Sequence, residues 1–260
     1  TLLQIIDILE DIKEASGNEF KDVLDKKIIK LKEFDERLLV LASEIESIME
    51  DMKFDFLYNK DRGLFSIGYN VEEKSLGNSY YDLMASESRV TSFLTIARGE
   101  IPKEHWYNLN RNMSKAFGFK TLASWSGTMF EYFMPYQIMK SFDNTIWSLT
   151  YSSVVNAQRV YGEKKNIPWG ISESAYYVFD INQIYQYKAF GVPGIGLKRG
   201  LENEVVISPY SSIMTLPLDT KNSLANLKNL YDMNAYGRYG FVESIDYSEG
   251  KDDPKEVRCY

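Results

Sequence analysis

Four glutamates of this chain stand in settings where a carboxylate is costly unless it has work to do. Glu87, in Ser86-Glu87-Ser88, falls within a segment that reads as a helix from about Asp82 to Arg98, with Asp82 as its N-cap. Its neighbours three and four residues away are Leu83, Met84, Val90 and Thr91, so that reading turns Glu87 toward an apolar stripe. Glu131 has Gly127, Thr128, Met134 and Pro135 as helical neighbours, in the apolar segment 129–139. Glu173 lies in Pro168-Trp-Gly-Ile-Ser-Glu-Ser174, a loop running into an expected helix start with Ser172 as its cap. Glu243 belongs to a segment, Tyr239–Tyr247, that alternates as a strand does, with Tyr239, Phe241, Ile245 and Tyr247 on its face.

A carboxylate buried without a partner is strongly destabilising or shifts its pKa upward. Each of the four alone has a structural explanation: an ion pair for Glu87, the helix dipole for Glu173. Together, in aromatic or apolar settings, they point to acid–base chemistry, because perturbed carboxylates concentrate at active sites. Glycoside chemistry needs two carboxyl groups flanking the scissile bond, and neither metal nor histidine. That matches the composition. A single histidine, His105, weakens a zinc site or a Ser-His-Asp triad, and a single cysteine, Cys259, excludes an internal disulfide or a cysteine-held metal cluster. No cofactor or metal is expected.

The 19 Tyr, 14 Phe and 4 Trp combine flat apolar faces with polar tips, surfaces that suit sugar rings and equally suit a Tyr-rich core. Trp125-Ser-Gly127, Trp169-Gly170 and Tyr185-Gln-Tyr187-Lys188 supply such faces beside hydrogen-bonding groups. A net charge of −7 argues against a nucleic-acid partner, which requires a basic face. No run of 18 apolar residues is present to insert in a membrane, and no signal-peptide pattern is visible. Gly191-Val-Pro-Gly194-Ile-Gly196 lacks the preceding strand and the spacing of a dinucleotide fingerprint.

The elements that must position these residues fall into two parts. Residues 1–52 read as two helices broken at Ser16-Gly17-Asn18, with charged outer faces and no chemistry; they are expected to be scaffold. Residues 53–260 form the remaining domain. It opens with a hairpin across Asn59–Gly63. The 82–98 helix follows, then a loop around Trp106 and an extended piece at Phe119–Ser124. Helices are expected at Thr128–Ser141 and Asn144–Glu163, and a short one near Ser174–Phe179. An extended stretch at Tyr185–Phe190 precedes helices starting at Ser208-Pro209 and Asp219. The tail, Glu249–Lys255, reads as charged and loose.

Several blocks resemble the glycoamylase-like domain of cyclic β-1,2-glucan synthases, with endo-β-1,2-glucanases as more distant relatives. They are Phe65-Ser-Ile-Gly-Tyr-Asn70, Tyr80-Tyr-Asp-Leu-Met-Ala-Ser-Glu-Ser-Arg89, Trp125-Ser-Gly-Thr-Met-Phe-Glu-Tyr132 and Pro168-Trp-Gly-Ile-Ser-Glu-Ser-Ala-Tyr176. Tyr185 to Gly200 and Gly237 to Tyr247 complete the set, in order, from about Phe54 onward. The resemblance implies a mainly α fold, an α/α toroid of the six-hairpin type with short β-hairpins at the active-site end. It implies retaining cleavage and transfer on a β-1,2-glucan, by a cytoplasmic domain of a membrane-anchored parent that does not itself enter the membrane. Glu173 is then the general acid/base and Glu87 the nucleophile. Asp82, Glu131 and Glu243 orient water or hold hydroxyls, and Trp125, Trp169, Tyr185, Tyr187 and Lys188 line the subsites. Two departures are visible. The family continues past Arg258-Cys-Tyr260 into a His-His-Gln-Gly segment that is not reached, and seven or eight helices are fewer than a closed ring needs, so an incomplete toroid is expected. Alternatives are a non-catalytic glycan-binding module of the same synthase and a plain structural domain.

Overall fold

The computed structural model describes residues 1–248 and 253–258, and the chain divides into two compact units, Thr1–Lys53 and Phe54–Tyr260. In the first, α1 (Leu2–Ala15) starts at a reciprocal cap in which Thr1 and Gln4 each accept from the other's backbone. The chain then reverses at Ser16-Gly17 into α2 (Asn18–Asp51). Ile6 of α1 packs against Leu24 and Ile28 of α2. At 1.5 Å per residue, 14 residues span only the first half of a 34-residue helix. Within the unit, therefore, the continuation of the stripe at Phe34, Leu38, Leu41 and Ile45 stays exposed.

The second unit mixes helices with small antiparallel sheets, none wider than three strands among the described residues. Strands β1 (Tyr58–Asn59) and β2 (Leu64–Ser66) form the expected hairpin. A second hairpin, β3 (Tyr69–Asn70) with β4 (Ser75–Leu76), leads to β5 (Tyr80–Tyr81), which pairs back onto β2. The expected 82–98 helix is shorter: α3 is Arg89–Ala97 with Ser88 at its cap position, and Asp82 is exposed and caps nothing. The helix cannot start earlier because Leu83 and Ala85 bridge to Asn110 and Ser124, and because the Ser86 hydroxyl accepts from the Ser88 amide in a local turn. The Trp106 loop contains one short helix, α4 (His105–Asn108), before the hairpin of β6 (Met113–Ala116) and β7 (Phe119–Leu122).

Helices α5 (Met129–Ile138) and α6 (Ile146–Lys165) carry the centre of the core, with Tyr132 and Phe133 of α5 beside Val154 and Ala157 of α6. The helix expected at Ser174–Phe179 is instead a strand, β8 (Ser174–Phe179), paired with β9 (Tyr185–Lys188). Tyr, Tyr, Val and Phe in succession favour a pleated surface, and the Asp180–Gln183 turn supplies the reversal. Then come β10 (Val206–Ile207), α7 (Tyr210–Met214) and α8 (Thr220–Asp232), the last capped by Asp219 as expected. The single strand expected at 239–247 is two. β11 (Tyr236–Gly237) turns into β12 (Gly240–Phe241), and β13 (Ser244–Asp246) joins a different sheet between β10 and β14 (Lys255–Val257). Lys255 is thus ordered in a strand, while residues 249–252 of the expected loose tail, and Cys259 and Tyr260, lie outside the described residues. No helix among the described residues is long and apolar enough to cross a membrane.

Candidate active site

Glu87, Glu131, Glu173 and Asp82 line a single cleft of about 560 Å³, formed by the segment Ser79–Glu87, the Trp125–Ser126 turn, Glu173 and Ala189. Glu87 reaches it from the turn before α3 rather than from the inward face of a helix. The Ser86 hydroxyl donates to Glu87 Oε2 at 3.1 Å. Two residues on, Arg89 roots the turn in the core. Its guanidinium is 2 % exposed, donates to the Tyr151 hydroxyl at 3.0 Å and stacks over the Trp147 ring. Burial pulls Arg89 down to about 10.

Glu131 is held by α5's own start. Its backbone N–H donates to Thr128 Oγ1 while its carboxylate returns to the Thr128 N–H at 2.9 Å, a reciprocal cap. The same carboxylate accepts from the Ser124 hydroxyl at 2.8 Å and the Ser126 N–H at 3.0 Å. These bonds fasten the Trp125 turn to α5. Burial nonetheless raises the carboxyl above its ordinary range against those three donors. The discounted glycine run closes the cage from behind: a Cβ on Gly191 or Gly196 would run into the Ser126 backbone, at 1.7 and 2.5 Å.

Glu173 follows a doubly clamped segment. Gln158 of α6 exchanges two 2.9 Å hydrogen bonds with the backbone of Ile171. The Tyr210 hydroxyl lies 2.7 Å from Ser172 Oγ and 2.8 Å from the Glu173 carbonyl. Ser172 caps no helix of its own; its hydroxyl accepts from the Phe130 N–H, inside the first turn of α5. Glu173 is pushed up to about 7, first by burial and then by Glu87 and Glu131, against a hydrogen bond from Tyr187. Tyr187 in turn rises to about 12, through desolvation and the nearby Glu173 and Glu243.

The remaining expected site residues divide. Trp125, 60 % exposed, presents its indole at the cleft. Trp169 does not: at 8 % exposed it belongs to the core, its main chain bracketed by the Asn226 amide. The flat face expected to stack on a sugar is packed into the core instead. Lys188 is turned to an ion pair with Glu204, and Tyr185 stacks on Phe179 along the β8–β9 hairpin. Glu243 accepts from the Ala175 N–H at 3.4 Å, beside the cleft and not among its lining residues. Sequence reasoning did not single out Tyr80, Tyr81 and Ile67, which line the cleft; the paired tyrosines beside the Ala-Ser-Glu block were the available signal. Tyr210 carried none, being 37 residues from Glu173.

A carboxyl that remains protonated near neutrality, beside a second carboxylate in one aromatic-rimmed cleft, is suited to donating a proton to a leaving oxygen. Among the described residues no three His, Cys, Asp or Glu side chains gather as a metal ion needs.

The Glycoamylase family model, described as "Putative glucoamylase", matches residues 79–258. Over 224 residues, 86 % of this chain, the sequence is 44 % identical to the cyclic β-(1,2)-glucan synthase NdvB of Rhizobium meliloti (strain 1021), of which it spans 8 %. Two solved structures share the fold over 90 % of this chain. An endo-β-1,2-glucanase from Chitinophaga pinensis, in complex with sophorotriose and glucose, has a TM-score of 0.59 at 17 % identity, with 56 % of its length covered. A β-1,2-glucanase from Parabacteroides distasonis has a TM-score of 0.56 at 14 % identity, with 35 % covered. The chain thus spans less than two thirds of each of these relatives.

Proposed function

The chain belongs to the glycoamylase-like family, and from that premise we propose that it cleaves and transfers glycosidic bonds of a β-1,2-glucan as one domain of a larger cyclic glucan synthase. One observation carries the reading: Glu173, raised to about 7, shares its cleft with Glu87. In the first step the Glu173 carboxyl gives its proton to the departing glycosidic oxygen while a Glu87 oxygen bonds to the anomeric carbon. In the second, a hydroxyl of the same glucan, of another glucan or of water attacks that carbon. Glu173 then takes the attacking proton back and the Glu87 ester bond breaks. Two inversions leave the anomeric configuration retained. Trp125 stacks a sugar ring at the mouth, and Asp82 meets sugar hydroxyls there.

On this reading residues 53–260 belong to an incomplete α/α toroid, the first 52 residues are scaffold, and the parent synthase is membrane-anchored with this domain in the cytoplasm. The exposed Trp125 would serve equally in a module that binds glucan without cutting it. Incubation with linear β-1,2-glucan separates the two. New chain lengths or rings, with β-configured products by NMR at early times, are expected; binding with no change in length would leave only the module. Early α-configured products would replace the retaining scheme with an inverting one.

A further inference from the structure

The β8–β9 hairpin carries an aromatic face outside the core that begins at the cleft with Tyr187 and runs beyond it. Its register puts Ala175 opposite Tyr187 and Phe179 opposite Tyr185, with an irregularity between Tyr176 and Phe179. One face, bearing Tyr176, turns inward onto Phe190 and the core. The other presents Tyr177, Phe179, Tyr185 and Tyr187. Three of these rings form a continuous group: Tyr177 lies 5.2 Å from Phe179 and 6.1 Å from Tyr185, and Phe179 lies 4.5 Å from Tyr185. Tyr177 and Phe179 are each 38 % exposed and Tyr187 is 64 % exposed.

This face is continuous with the cleft at both strands. β8 begins at the residue after Glu173, and β9 ends at Lys188, next to the cleft-lining Ala189. Tyr187 stands at the junction, its hydroxyl within the field of Glu173. At about 3.3 Å per strand residue, the hairpin extends outward by several more residues.

We propose that the outer face of the β8–β9 hairpin is a rail that holds the distal sugars of a long glucan whose scissile bond lies in the cleft. The proposal rests on the function above and deepens it, because it makes the protein select chain length. Three of the four rings are tyrosines, each offering an apolar face to a sugar ring and a hydroxyl to its edge, which a purely apolar protein-packing surface has no need of. The turn beyond them is closed by Asp180, which accepts from the amides of Asn182 and Ile184, and it exposes Ile181 and Ile184, so the rail ends in solvent and not in a closed pocket.

The test compares binding of the full 260-residue chain to a long linear β-1,2-glucan and to sophorotriose. In the parent, the long glucan is expected to bind more tightly. The double substitution Tyr177→Ala with Phe179→Ala should weaken the long glucan about tenfold and leave sophorotriose unchanged. The ring-preserving pair Tyr177→Phe with Phe179→Tyr should keep most of the long-chain affinity, which separates stacking from damage to the hairpin. Equal losses for both ligands, no loss for either, or the same loss in the ring-preserving pair would each overturn the rail. If the parent binds both glucans alike, the rail falls and the proposed activity stands; if it binds neither, both fall.

Discussion

The Tyr210 hydroxyl, carried on α7, lies 2.8 Å from the main-chain carbonyl oxygen of Glu173 and donates to it. The proposed acid is therefore held through its backbone by a helix that follows it in sequence, while its side chain is left to the cleft. Tyr210→Phe removes that hydrogen bond and the one to Ser172 with almost no change of volume. The expected result is a fall in kcat on β-1,2-glucan of about tenfold with KM little altered, since small misplacements of a catalytic group are costly. An unchanged kcat would show that the anchor is not needed.

Glu173→Gln should reduce turnover by more than about 10²-fold while glucan binding is kept, because shape is preserved and only proton transfer is lost. The parent's pH profile gives an independent check. Glu173 titrates at about 7, and a donor must be protonated. Hence kcat/KM should decline as pH rises through that value. A decline beginning near the ordinary carboxylate value would assign the acid elsewhere.

The same group sets a stability prediction with a definite sign. Its folded pKa is raised from 4.5 to about 7, so the stability it contributes is fully present below 4.5 and is lost as pH rises through 7. Glutamine removes that penalty. Glu173→Gln should therefore melt higher than the parent at about pH 8 and at nearly the same temperature at about pH 4. With solvent screening of a half-buried group, the gain is about 1 kcal/mol, or about 3 °C. A gain at the acidic end alone would contradict the direction of the shift.

Five residues singled out from the sequence, Asp82, Glu87, Trp125, Glu131 and Glu173, do line one cleft, and helices are legible wherever a cap and an apolar stripe coincide, as at Asp219. The sequence misled where local chemistry competed with periodicity. Leu83, Met84 and Val90 have helical spacing, but the serine hydroxyls around Glu87 and the bridges to Asn110 and Ser124 hold that stretch extended. Glu173 looked like the start of a helix because Ser172 before it has the chemistry of a cap, yet the Ala-Tyr-Tyr-Val-Phe run that follows is a strand. Trp169 could not be told from a sugar platform, because a core aromatic and an exposed one have the same sequence signature. Tyr210 and Gln158 act through the folded chain's long-range contacts, which no local pattern encodes.

Glu131 offers a contrast with Glu173, since both line the cleft, but main-chain N–H groups cage Glu131 while Glu173 meets the Tyr187 hydroxyl. Each Glu131 oxygen already accepts at least one N–H, from Ser126 or Thr128, and one of them also accepts from Ser124. Glu131→Gln must turn an amide NH₂ toward one of those N–H groups, whichever way it flips. The expected cost is about 2–4 kcal/mol, since buried donors lose their acceptor. That corresponds to a fall of about 5–15 °C in Tm. A variant that melts like its parent would mean that the cage does not hold the Trp125 turn.

The turn that carries Trp125 is also braced by close backbone contact, and this gives the sharpest comparison. The Leu197 N–H donates to Ser124 O and the Lys198 N–H to Trp125 O, which draws residues 191–198 against 124–127 until no side chain fits between them. A methyl on Gly191 would fall 1.7 Å from Ser126 O and 2.6 Å from its carbonyl carbon, both fixed backbone atoms. Gly191→Ala must therefore push the Trp125 turn out of place. It should cost about 2–3 kcal/mol through overpacking and should weaken glucan binding at the same time. Gly68→Ala is the matched control, because its new methyl meets nothing within 4 Å and its backbone is not left-handed. It should stay within about 0.5 kcal/mol of the parent, the ordinary range for an open surface position. If Gly191→Ala melts and binds as Gly68→Ala does, the glycine loop is not what seats the tryptophan.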